Sequence, residues 1–187
     1  MKIPLCAATL AGLVTVLAAA AMAQSTIPGT SGVPTSQPAG LSDKTAALLR
    51  TATSANLFEM ESSRLALTRS QSKAIKEFAD RIVAEHTRAA NRARQVLNEI
   101  GASAPPALLE PGHQQQLDAL KAVANAEFDR AFVEVQYTAH VEAIGLMRDY
   151  ARSGDNERLK ALAGEMLALL QNHLDHVTRL RDGTSAR

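Results

Sequence analysis

Glu59, His86, His140 and His173 are the residues of this chain whose types and positions could do chemistry inside a fold. Each stands where a helical apolar stripe calls for an aliphatic side chain. A carboxylate or an imidazole in such a place is costly unless it is paired, hydrogen-bonded or bound to metal. Carboxylates and imidazoles converging in a helical core are also how bundle metal centres are built. Two readings stay open at this point. The four residues form buried hydrogen bonds that fix the helix register, or they hold an iron, copper or zinc ion.

The elements that must position them are helices. From Asp43 onward Ala, Leu, Arg, Glu and Gln dominate, and no alternating strand pattern appears. Breaks at Ser70–Ser72, Gly101, Pro105-Pro106, Pro111-Gly112 and Gly154 predict helices over about 43–69, 73–100, 113–124, 126–152 and 156–183. Asp155 is the expected N-cap of the last. The second helix carries the stripe Ile75, Phe78, Ala79, Ile82, His86, Ala93, Leu97, Ile100. Val133, Tyr137, His140, Ile144, Met147 and Ala151 form that of the fourth. Leu159, Leu162, Met166, Leu170, His173, Val177 and Leu180 form that of the last. On the first, Glu59 shares a face with Leu48, Ala52, Ala55 and Ala66. One buried face per long helix, with two short connections, predicts an all-α fold. It is an antiparallel four-helix bundle with a short extra helix in the long connection between its two hairpins. Gly145 and Gly164, each costing about 1 kcal/mol inside a helix, fall at one level of the second hairpin and predict a close approach of its backbones.

Level along the helices matters as much as face. Counted from the first turn, Glu59 and His86 are offset by roughly 4.5 Å, which two side chains bridge. His140 and His173 are offset by roughly 9 Å, poor for one shared ion, and Met166 falls nearer the level of His140. No Glu stands three residues before any of these histidines, where the di-iron signature of helical bundles requires one: Val83, Tyr137 and Leu170 are there instead.

Lesser candidates carry bland readings. His176, three residues after His173, lies at the edge of its stripe. His113 belongs to a solvated helix start, and Arg88, Arg92 and Arg94 to a charged face beside Glu85 and Glu99. Met60, Met147 and Met166 are thioethers that a helical core uses as filler.

Composition excludes much else. Among 187 residues, 20 Lys+Arg balance 19 Asp+Glu, so the basic field of a nucleic-acid binder is missing. No phosphate-binding loop, nucleophile elbow or H-E-x-x-H motif occurs, which favours a non-catalytic protein without deciding against an enzyme. The single cysteine, Cys6, sits in a leader. Met1-Lys2, an apolar run and Ala21-Met22-Ala23 read as a secretory signal peptide over residues 1–23. An uncleaved anchor is the alternative; cleavage leaves a mature chain with no cysteine and no transmembrane segment. Residues 24–42 hold three Pro, three Gly and seven Ser/Thr without a charge, the composition of a disordered tether. The folded part is then 43–183.

The sequences around the four residues also resemble a known family. They are Phe58-Glu59-Met60-Glu61 leading to Leu65-Ala66-Leu67, Phe78 through Val83 running into Glu85-His86-Thr87, Phe128 through Phe132 followed by His140, and Leu167 through Leu174. Over about 52–181 the chain resembles the bacterial family known as domain of unknown function 4142, whose members often carry the name outer membrane protein. The resemblance implies an exported, ferritin-like helical bundle with no established activity, and Glu59, His86, His140 and His173 fall on the family's recurring Glu and His positions. Glu85 stands where the family usually shows Asp, and Ala168 where it usually shows Pro. A membrane barrel is not implied, for a barrel needs many alternating strands.

These readings converge on a non-catalytic module of the periplasm or outer-membrane surface, acting through an envelope protein partner or its own oligomer and without nucleic acid. The alternative is a metal-binding or redox bundle built on Glu59, His86, His140 and His173.

Overall fold

The computed structural model describes residues 40–185, so the expectations for the leader and most of the tether fall outside the described residues. Those described form five helices and no strand: α1 (Asp43–Arg69), α2 (Lys73–Glu99), α3 (Pro111–Ala122), α4 (Asn125–Ser153) and α5 (Glu157–Ser185). The fold is all-α. None of these helices is long and apolar enough to cross a membrane.

The long helices begin and end where local chemistry demands. Ser42 caps α1 by accepting from the Thr45 N–H, and Ser72 caps α2 by accepting from the Ile75 N–H. Gly101 follows α2 with φ +68, a left-handed turn that glycine adopts without strain. Ser70–Ser72 and Gly154–Asn156 each reverse the chain, pairing α1 with α2 and α4 with α5. α1 also packs along α4, and α2 along α5, so the four long helices enclose a common core. The segment from Gly101 to Ala124 travels back along the molecule, with α3 lying on α1 and α4. Arg69 fastens its end, donating to the Leu120, Lys121 and Val123 carbonyls and covering the Phe128 ring at 4.3 Å.

The core has two unlike halves. Toward the Ser70 turn, Ile75, Phe78, Ile82, Phe128, Phe132 and Val133 pack with at most 1% exposure. Toward the Gly154 turn, Leu48, Leu49, Leu97, Leu159, Leu162 and Ala163 make the core with smaller side chains, and Tyr150 packs at that end.

Three local expectations are corrected. Asn156, not Asp155, caps α5, its Oδ1 accepting from the Arg158 and Leu159 N–H groups. Asp155 instead takes hydrogen bonds from Ser42, Thr45 and Tyr150, and the first two hydroxyls hold its carboxyl down at about 2. Leu41 and Ser42, expected at the end of the tether, therefore belong to the folded body. Gly145 and Gly164 mark no close approach, since a Cβ at either would meet nothing within 4 Å. With no space constraint, only the helix cost of glycine remains. Gly145→Ala and Gly164→Ala are each expected to stabilise the protein by about 1 kcal/mol, read as a rise of roughly 3 °C in Tm. Gly154 is the glycine that space requires. A Cβ there would lie 2.6 Å from the Tyr150 carbonyl oxygen and 2.8 Å from Lys160 Cγ. Gly154→Ala should therefore lower the melting temperature, where the other two raise it.

Candidate metal centre

Between the two halves of the core lies one polar layer, to which each long helix contributes: Glu59 from α1, His86 from α2, His140 from α4 and His173 from α5. Their exposures are 1%, 4%, 0% and 0%. The roughly 9 Å offset counted along the helices does not keep His140 and His173 apart, for their ring centroids are 5.3 Å from each other. Helical side chains lean toward the N-terminus of their own helix. On neighbouring helices of opposite direction they lean opposite ways, and His140 and His173 lean toward one level. Met166 belongs instead to the smaller-residue half of the core, beside Met147.

One ligand atom from each of His86, His140 and His173 lies within 4.8 Å of the others. The hydrogen bonds say which atoms these are. His86 Nδ1 faces Glu59 Oε2 at 2.9 Å and Asn56 Oδ1 at 3.1 Å. His173 Nε2 faces Glu85 Oε2 at 2.5 Å, and His140 Nδ1 faces the Gln136 carbonyl at 2.8 Å. Each of these partners accepts only, so each of these nitrogens carries the ring's N–H. In the neutral form of the rings, the bare nitrogens are then His86 Nε2, His173 Nδ1 and His140 Nε2. The first two are 3.3 Å apart, and the third is buried with no hydrogen-bond partner.

Burial presses the His140 and His173 imidazoles toward their neutral forms. Desolvation lowers both, against the nearby carboxylates that raise them, and His173 falls to about 4. Burial would by itself raise Glu59, but the charges of His140 and His86 and the His86 hydrogen bond outweigh it and hold the carboxyl at about 2. Gln136 spans behind the layer, donating to Ser62 Oγ at 2.8 Å and to the Glu59 carbonyl at 3.4 Å.

All four expected residues are thus brought into one layer, Glu59 standing behind His86. Glu85, Asn56 and Gln136 complete it and were not expected there. Glu85 had the charges of Arg81 and Arg88 nearby and read as a surface residue; it does pair with both, at 3.3 and 3.5 Å, while its other oxygen reaches inward to His173. His176 lies outside the layer, edge-on to Phe78 with centroids 5.1 Å apart. His113 is not a solvated helix start. It stacks on Phe58 at 5.5 Å and its Nδ1 bonds Ser54 Oγ at 2.6 Å, docking α3 on α1.

No curated protein matches the chain. Among solved structures the fold is similar to CopM in the Cu(II)-bound form, with a TM-score of 0.62 and 15% identity over 75% of this chain and 96% of that one. CopM in the Cu(I)-bound form gives 0.61 and 16% over 76% and 97%. At such identity the likeness is one of fold. Residues 31–180 match the family described as a domain of unknown function, DUF4142, and the chain belongs to that family.

Proposed function

We propose that this protein is an exported metal-binding bundle, ferritin-like in its antiparallel four-helix arrangement, that holds one transition-metal ion on His86 Nε2, His140 Nε2 and His173 Nδ1. The observation that carries the reading is the division of the three rings. Every outward nitrogen donates to an oxygen, which is how metal-ligating histidines are oriented, and every inward nitrogen is bare. Two bare imidazole nitrogens 3.3 Å apart repel each other. Two nitrogens bound to one ion at about 2.0–2.1 Å with tetrahedral geometry are separated by roughly that distance. Glu59 and Glu85 serve as the acceptors behind His86 and His173 and would orient both rings toward a bound ion.

Three imidazoles without a thiolate suit copper or zinc, and copper(II) heads the affinity order for such sites. Iron of the di-iron type is disfavoured because no carboxylate bridges the set. The copper-bound forms of CopM, which share the fold, add weight to copper. The signal-like leader favours the periplasm or the outer-membrane surface as the place of work. A non-catalytic role fits this reading, with the ion held rather than used to turn over a substrate.

Metal titration into the chelator-treated protein tests the proposal. One equivalent of copper(II) or zinc should bind and raise the melting temperature, reversibly with chelator. A melt that ignores copper, zinc and iron, with no metal retained on dialysis, would overturn it.

A further inference from the structure

The smaller-residue half of the core does not close on itself. It leaves a cavity of about 330 Å³ between α1, α2, α4 and α5. Its walls are apolar except at Thr53, Asn56, Glu59, His86, Thr87 and Arg94. The cause is written in α1 and α2: Ala52, Ala55, Ala90 and Ala93 line it, where larger side chains would fill it. Phe78, Phe128 and Phe132 all lie in the other half. Along α2 the cavity extends from His86 to Leu97, about 16 Å at 1.5 Å per residue. An elongated apolar cavity of this length suits an extended hydrocarbon chain. Apolar cavities are poor places for water and bind apolar guests of matching shape, and this volume is in the range of small-molecule sites.

The cavity is partly open to solvent, and Ala104, Pro105 and Ala107 of the loop after α2 belong to its wall. Arg94, itself exposed, is the one cationic side chain in that wall among the described residues. Its guanidinium bonds the neutral Asn91, and among the described residues no carboxylate pairs with it. Leu108, next in that loop, is 67% exposed, one of the few large apolar side chains left in water. The inner end carries the Glu59 carboxylate, which repels an anion.

We infer that the channel binds a single-chain amphiphile with an anionic head, of the long-chain carboxylic acid type, its tail between the helices and its carboxylate at Arg94. The channel ends against Glu59 and His86 of the polar layer, but the tail and head contacts proposed here use neither, so dodecanoate binding is read independently of bound metal. The walls accept any tail of the right length, and the single cation among them selects the head.

Dodecanoate titrated into the full chain, followed by calorimetry and native mass spectrometry, tests this. One molecule should bind per chain, with dodecyltrimethylammonium at least tenfold weaker. Ala93→Phe should plug the channel and weaken dodecanoate at least tenfold without lowering the melting temperature or changing metal stoichiometry. Ala90→Leu supplies a milder plug should the larger one fail to fold. Arg94→Glu should weaken dodecanoate and leave the cationic amphiphile unharmed. Failure of the unaltered protein to bind dodecanoate up to its solubility limit would overturn the proposal, as would binding that ignores both plugs. Equal affinity for both heads would overturn the role of Arg94.

Discussion

His140→Phe is expected to abolish stoichiometric metal binding while changing the stability of the metal-free protein by no more than about 1 kcal/mol. The two effects part because of how His140 is built in. Its Nδ1 leans on a carbonyl of its own helix and stands 3.9 Å from Glu59 Oε1, beyond hydrogen-bond reach, and its Nε2 is buried with no partner. Phenylalanine keeps the ring, removes that orphaned acceptor and sits beside Phe78, whose centroid is 6.4 Å away. His86→Phe should behave otherwise. It strips Glu59 of its 2.9 Å partner and leaves a carboxylate at 1% exposure. Breaking a buried pair in this way costs about 3–5 kcal/mol, so this variant loses both metal and stability. Glu59→Gln keeps an acceptor oxygen behind His86 and should weaken metal binding by about 10- to 100-fold. Denaturant melts with and without copper, beside metal analysis, read all three. A register-fixing role alone would give the opposite pattern: His140→Phe would destabilise, and no variant would differ in bound metal.

The helices and their faces were legible because a 3.6-residue apolar period is a property of the sequence itself. All four layer residues stood out as polar interruptions of that period. What the stripes did not carry was level. Counting Cα positions from the turn put His140 and His173 apart, because the count ignores the direction in which helical side chains lean. Nor could spacing assign Glu85, since a carboxylate beside Arg81 and Arg88 looks solvated until its second oxygen is seen on His173. Gln136 was hidden for a related reason. It lies one position before Tyr137, off the assumed centre of the α4 stripe, yet is 0% exposed because α1 packs on α4 and meets it with the small Ser62, to which Gln136 donates. The glycines erred in the same direction. Gly145 and Gly164 invited a packing explanation, while Gly154, which looked like an ordinary helix stop, is the one that tight contact demands.

Acidification is expected to destabilise the metal-free protein in two stages. In the unfolded chain His173 titrates near 6.5, whereas in the fold desolvation, outweighing the Glu85 hydrogen bond, brings it to about 4. Between those values the unfolded chain binds the extra proton, so stability falls as pH falls. A shift of that size corresponds to about 3 kcal/mol, present above pH 6.5 and lost by pH 4. His140 is lowered for the same leading reason and acts in the same direction. Glu59 supplies the second stage. Burial raises its carboxyl, but His140 and His86 bring it to about 2 against 4.5 in the unfolded chain. Its pairing therefore stabilises the fold above pH 4.5 and is lost as pH falls toward 2. Urea midpoints at pH 7.5, 5.5 and 4.5 should decline in that order, and His173→Phe should flatten the decline between the first two. Bound metal should steepen it, because only unprotonated imidazoles ligate and each proton competes with the ion. Midpoints that stay level or rise from pH 7.5 to 4.5 would mean that the His140 and His173 rings are already charged in the fold. Three bare nitrogens facing one another would then not be the state in which this protein waits for its ion.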